Sequence, residues 1–141
     1  MGSLGTGKDH LAAAMLYEAA QRFGIASRWV RGRATFQASR DAMANDRSEE
    51  ELLGPMMKAA ILCISDPAPG AASLSSWNVD LLFRVIDDRY ARRKPTWMTL
   101  NARDVTEAGQ KLTPAVWERL RDQAEVIRCL WESRRREARV T

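Results

Sequence analysis

The run "AAILCI", residues 59 to 64, is apolar at every position. A strand half exposed to water alternates apolar and polar residues. A continuous run of this length instead suits a strand covered on both faces, as in a parallel sheet clad with helices. The rest of the chain fits around such a sheet. "KDHLAAAMLYEAAQRF" reads as an alanine-rich helix that stops at Gly24, and its small side chains let it lie close against a sheet. "SRWVR" (27 to 31) is a short strand, and "ATFQASRDAMA" (34 to 44) is helical. "SEEELLGPMMKA" (48 to 59) is a second helix, with acids in its first turn and a kink or break expected at Gly54-Pro55. After the loop "SDPAPGAAS", the stretch "SWNVDLLFRVIDDRYARR" places Trp77, Leu81, Leu82, Val85 and Tyr90 on one stripe of a helix. "PTWMTL" (95 to 100) is the next strand. Thr113 caps a helix that has Pro114 in first place and buries Val116, Trp117 and Leu120. "VIRCLW" (126 to 131) is expected as a last strand, and the basic end "RRREARVT" as a frayed tail. Alternating helices and strands of this kind make an α/β layer fold.

At 141 residues the chain has the size of one domain. Net charge is +4, which permits contact with nucleic acid without requiring it. Cys63 and Cys129 both lie in apolar runs and outside any CxxC pair, so they read as buried free thiols. His10 is the lone histidine, which leaves no His-based metal cluster. No stretch approaches the roughly 20 apolar residues of a membrane span. These features predict a soluble, cytoplasmic protein with no membrane partner.

The chain opens with "GSLGTGKDH", in which Gly2, Gly7 and Lys8 match G-x-x-x-x-G-K, with Gly5 and Thr6 between them. Glycines permit backbone angles that turn successive N–H groups inward around phosphate oxygens, and the following helix adds its positive end. Lys8 reaches the outer phosphates as a point charge. Such a loop is expected to follow a buried strand, yet only Met1 precedes it here. The sheet is therefore expected to lack its first strand: either the chain is a fragment of a longer reading frame, the favoured reading, or something else fills that slot. Residue 9, where a hydroxyl is expected, is an acid.

The order of motifs resembles the AAA+ ATPases of the DnaC/IstB type, the bacterial helicase loaders and transposase helper proteins. The resemblance rests on "GTGKDHLAAA", "ILCISD", "LLFRVIDDRYARRKPT" leading into "TLN", and "VWERLRD" followed by "CLWESR". It implies a three-layer αβα P-loop NTPase fold, an AAA+ core over residues 1 to 133 with a basic tail from 134 to 141, and ATP with Mg2+ as cofactors. It further implies that Asp66 places the attacking water and that Asn101 is a polar sensor near the γ-phosphate. Arg119 is the arginine that reaches a neighbouring subunit's phosphate, which makes a homo-oligomer possible. A replicative helicase or a transposase is the implied partner, with DNA as a further one.

Two positions depart from the family pattern. The loop hydroxyl that touches magnesium is replaced by Asp9, and the first acid of the strand-end pair is replaced by Ser65. In the family these two groups face each other across the metal, so here their identities are exchanged. Asp9, Ser65 and Asp66 then form the expected metal shell, since magnesium takes oxygen ligands and tolerates water. The alternative is a relative that keeps the fold and has lost hydrolysis. Without a cation between them, an acid about 4 Å from a phosphate charge is repelled by roughly 4 kcal/mol at an effective dielectric of 20. A small-molecule kinase is disfavoured because no acceptor-binding lid is evident. The run Arg89, Arg92, Arg93 and Lys94 complements a helix end, or with Arg134, Arg135, Arg136 and Arg139 faces DNA. The tryptophans are expected in the core.

Overall fold

The computed structural model describes residues 1 to 45, 48 to 68, 74 to 122 and 124 to 135. Its elements in chain order are α1 (Lys8–Phe23), β1 (Ser27–Arg31), α2 (Gly32–Ala44), α3 (Glu49–Lys58), β2 (Ile61–Ser65), α4 (Ser76–Ala91), β3 (Thr96–Thr99), α5 (Val105–Leu112) and α6 (Pro114–Arg121). The three strands form one parallel sheet in the order β1-β2-β3. Every residue of β2 is buried, as its unbroken apolar run requires.

The alternation of β2 divides the core into two layers. Leu62 and Ile64 face a large cluster with Phe36 of α2, Leu53 and Met56 of α3, Leu81, Leu82 and Val85 of α4, Leu112 of α5 and Val116 of α6. Ile61 and Cys63 point the other way, onto Leu16, Ala12 and Ala19 of α1. The result is the expected three-layer αβα arrangement. Fully burying a side chain such as Leu62, Val85 or Leu112 contributes about 1.5–3 kcal/mol, so the α4 side of the sheet carries most of the stability. Burial pushes the Cys63 thiol up to about 12, which keeps it protonated and inert.

Several expectations need correction. Helix α3 continues through Pro55 as one element, so the split alternative does not occur. Gly54 has no Cβ to clash with the proline ring, which eases the entry of Pro55 into the helix. Thr113 stands between α5 and α6 but does not cap with its side chain, and its Oγ1 is buried without a partner. Thr113, directly before Pro114, lies outside the helical region, at φ 71 and ψ 153. Helix α5 was not foreseen.

Residues 126 to 131 do not form the expected strand. They make one isolated parallel bridge, between Cys129 and Gly2. The cause is the neighbouring slot in the sheet. Between β3 and this segment lie only Met1 and Gly2, which bond to both sides: Gly2 N donates to Leu100 O, Met1 N to Ile127 O, and Cys129 N to Met1 O. Among the described residues only this bridge and these bonds pair the segment, so it is not drawn into a longer ladder.

Candidate functional site

The opening loop meets α1 at Gly7, which caps the helix at φ 80, a conformation that favours glycine. Gly2 approaches the Cys129 backbone so closely that a Cβ there would collide with the carbonyl oxygen. The carbonyls of Ser3, Gly5 and Thr6 are each held by a hydrogen bond. Ser3 O accepts from Thr6 Oγ1 at 2.9 Å and from Lys8 Nζ at 2.6 Å. Gly5 O accepts from Arg134 N at 2.9 Å, and Thr6 O from the Trp131 indole at 2.7 Å. The N–H groups of Gly5, Gly7 and Lys8 meet no backbone acceptor among the described residues. Free amides at a helix start, with carbonyls tied back and an ammonium beside them, form an anion-binding cradle.

Parallel pairing of β2 with β3 brings a polar group to the foot of this cradle. Ser65 and Thr99 are register partners at the ends of the two strands. Both hydroxyls donate to Asp9: Ser65 Oγ to Oδ2 at 2.9 Å and Thr99 Oγ1 to Oδ1 at 2.6 Å. Thr99 Oγ1 also accepts from Asp66 N at 3.2 Å. Asn101 Nδ2 donates to Asp66 Oδ2 at 2.6 Å, while the other carboxylate oxygen, Asp66 Oδ1, is buried without a partner. Asp66 adopts φ 41, a left-handed conformation uncommon outside glycine and frequent at functional sites. Burial raises the Asp66 pKa, and Asp9 adds to this, while Lys8 and the Asn101 bond oppose it. Burial lowers the Lys8 pKa, against the pull of Asp66 and Asp9.

The donor set suits a hard cation. Asp9, Ser65, Asp66 and Thr99 offer only oxygen, and the orphaned Asp66 Oδ1 is the kind of buried atom that a metal-bound water satisfies. No group of three or more His, Cys, Asp or Glu is assembled among the described residues. Magnesium, which keeps several waters and shares phosphate oxygens, fits two carboxylates better than zinc does.

Gly2, Gly5, Thr6, Gly7, Lys8, Asp9, Ser65, Asp66 and Asn101 therefore converge, and Arg119 does not join them. Its guanidinium pairs with Asp87 at 2.8 Å and lies over the Tyr90 ring at 5.1 Å, on the α4–α6 face. Three participants were not foreseen. Thr99 enters only through strand register, which a linear pattern does not carry. Lys111, on the unforeseen α5, donates to Asn101 O and pairs with Glu107. Trp131 is 44% exposed, not core, and its indole holds the loop.

The basic run is also reassigned in part. Arg89 is fully buried, and its guanidinium donates to Met56 O, Ala59 O and Pro95 O and to Thr96 Oγ1. It is neither solvated nor DNA-facing. Arg92 pairs with Asp88, and Lys94 donates to the carbonyls of Met57 and Lys58 at the end of α3. Arg134 and Arg135 lie beside the loop. Arg136 and Arg139 are outside the described residues.

A family model described as "IstB-like ATP binding protein" matches residues 1–141, the whole of the sequence. The chain belongs to the IstB-like ATP binding protein family. Among curated relatives, the replicative helicase loader DnaC of Escherichia coli strain K12 is 28% identical over 131 residues, covering 92% of this chain and 50% of DnaC. This IstB-like chain spans about half the length of the curated relatives it matches. The crystal structure of the DnaC helicase loader superposes with a TM-score of 0.79 at 22% identity, covering 93% of this chain and 75% of that one. The replication initiator DnaA bound to AMPPCP and single-stranded DNA superposes with a TM-score of 0.73 at 19% identity, covering 93% and 38%. These likenesses establish the AAA+ P-loop fold for this IstB-like protein. No described helix is long and apolar enough to cross a membrane.

Proposed function

We propose that this IstB-like chain binds ATP with Mg2+ at the loop between Gly2 and Lys8 and acts as a DNA-replication or transposition ATPase. The observation that carries this reading is the meeting of Asp9 with Ser65 beneath free loop amides. The exchanged hydroxyl and carboxylate lie in contact although 56 positions apart.

In this reading the amides of Gly5, Gly7 and Lys8 hold phosphate oxygens, and Lys8 swings from Ser3 O to the outer phosphates. Asp9, Ser65 and Asp66 would hold a magnesium ion, which would offset phosphate charge and the repulsion between Asp9 and nucleotide. Asp66 Oδ1 accepts from the attacking water, and Asn101 keeps that carboxylate turned toward it through the bond to Oδ2. Arg119 acts on the site of a neighbouring copy, stabilising charge in the transition state. A replicative helicase or a transposase is the partner, in keeping with the DnaC resemblance, and DNA is a second partner.

One observation favours a second reading, an interaction module without hydrolysis. Both oxygens of Asp9 are already occupied by the hydroxyls of Ser65 and Thr99, so the carboxylate is satisfied without a cation. Turnover decides between the two. Magnesium-dependent ATP hydrolysis that disappears in Lys8→Ala supports the enzyme. Nucleotide binding without turnover supports the module, and absence of binding to ATP and ADP defeats both.

A further inference from the structure

Residues 129 to 134 lie against the opening loop, far from it in the chain. Cys129 pairs with Gly2 in the parallel bridge, and Arg134 N donates to Gly5 O at 2.9 Å. Between them the Trp131 indole donates to Thr6 O at 2.7 Å. Ser133 packs so closely on Gly5 that a Cβ there would collide with the serine Oγ. The Trp131 ring is exposed, so apolar burial explains little of its placement. Its one polar group, the indole N–H, is engaged by the loop.

A trans peptide unit is planar, and its C=O and the following N–H point in opposite directions. Holding Thr6 O therefore fixes the direction of the Gly7 N–H, and holding Gly5 O fixes that of the Thr6 N–H. Neither N–H meets a backbone acceptor among the described residues. Gly5 and Gly7, at φ 81 and φ 80, carry no side chain to restrain these units, so restraint comes from outside the loop. The bond from Lys8 Nζ to Ser3 O is an internal tie, and it is given up when the lysine turns to phosphate. The bonds from Trp131 and Arg134 use carbonyls that an anion does not need, so they are compatible with a bound ligand.

We infer that Trp131 is a positioning residue for phosphate binding: by holding Thr6 O it presets the Gly7 amide that receives a phosphate oxygen. The inference rests on the nucleotide reading above and names a residue that acts on that site through the loop backbone. A loop whose amides are already set loses less conformational entropy when an anion binds. The ligand so favoured is a polyphosphate chain. The indole acts on amides that donate to anionic oxygens, so its effect is the same with a nucleotide base or without one. Linkage makes the coupling mutual: an anion held by the Gly7 amide tightens residues 129 to 134 on the loop.

The test compares the parent chain with Trp131→Phe, which keeps an aromatic ring and removes the donor, and with Leu130→Ala, an exposed neighbour, as control. Calorimetry with Mg2+ is run with ATP and with inorganic tripolyphosphate. Trp131→Phe is expected to weaken both by the same factor, roughly three- to tenfold, with the melting temperature without ligand nearly unchanged. Leu130→Ala is expected to match the parent. Saturating tripolyphosphate is expected to slow trypsin cleavage after Arg134 in the parent, and to do so much less in Trp131→Phe. Equal affinity of Trp131→Phe and parent overturns the inference and leaves the nucleotide reading standing. So does a fall in melting temperature at unchanged affinity, which assigns the ring to the fold, or a loss confined to ATP, which assigns it to the base. Unaltered cleavage of the parent on adding tripolyphosphate overturns the coupling without recourse to any variant. A parent that binds neither ATP nor tripolyphosphate overturns both the inference and the nucleotide reading.

Discussion

Ser65 Oγ donates to Asp9 Oδ2 at 2.9 Å, joining the end of β2 to the first turn of α1. This contact gives the exchanged pair a physical basis, because one carboxylate and one hydroxyl remain at the place proposed for magnesium. Reversing the exchange is therefore informative. Asp9→Thr alone leaves one acid, and Ser65→Asp alone crowds three acids around one position. The double change Asp9→Thr with Ser65→Asp is expected to restore magnesium-dependent ATP affinity to within a few-fold of the parent, with each single change at least tenfold weaker, measured by calorimetry with and without Mg2+. If the double change is no better than either single one, the exchanged shell is wrong.

Lys8 is expected to matter for ligand and little for folding. Its one hydrogen bond is to Ser3 O in an exposed setting. A bond from a charged donor contributes about 1.5–3 kcal/mol, so Lys8→Ala is expected to weaken ATP roughly 10- to 100-fold. The melting temperature without nucleotide should hardly change. A large loss of stability instead would place Lys8 in the fold and not in the site.

Asp66 carries a pH signature with a definite sign. Its folded pKa is raised above the usual carboxylate value of 3.8, chiefly by burial. As pH climbs past 3.8 the unfolded chain loses this proton first, so the ionised group destabilises the fold at neutral pH. Below both pKa values the effect is absent. Asp66→Asn is thus expected to raise the melting temperature at pH 7, with the gain shrinking as pH falls toward 3.8, while turnover is lost. A gain that is equal at all pH values would point to packing and not to charge.

Arg89 is the position where substitution should be most damaging to stability. It joins the end of α3 to the start of β3 through Met56 O, Ala59 O and Pro95 O. Truncation orphans buried carbonyls at about 1–3 kcal/mol each. Arg89→Ala is expected to lower unfolding free energy in urea by at least about 3 kcal/mol. Arg89→Lys should recover only part, since an ammonium cannot reproduce the planar fork. A loss below 1 kcal/mol would contradict the bonded geometry.

Arg119 tests assembly. Its pair with Asp87 is exposed and screened by solvent, so Arg119→Ala should leave stability and ATP binding nearly intact. Turnover should fall at least a hundredfold. Mixing Arg119→Ala with Lys8→Ala should restore part of it, because one copy offers the arginine and the other the loop. No recovery on mixing would remove Arg119 from the site.

Particular residues show what a linear reading can reach. The buried strand β2 was legible because all its side chains are apolar, and the covering helices because their apolar stripes are long. The pairing of Asp9 with Ser65 was legible only as two departures from one family pattern. Thr99 was not, since its part follows from standing beside Ser65 in the sheet. Helix α5 escaped because "VTEAGQKL" has few apolar residues and an internal glycine. Arg89 looked solvated among neighbouring cations, and nothing local distinguishes a guanidinium that finds carbonyls from one that finds water. Residues 126 to 131 have strand chemistry, but a strand is a property of two edges, and among the described residues these meet only Met1 and Gly2.

The indole of Trp131 is fastened to the backbone of the opening loop at Thr6. The molecule thereby contains its own optical gauge. Whatever draws that carbonyl aside, whether nucleotide, a neighbouring copy or a change in salt, will alter tryptophan emission without any attached dye.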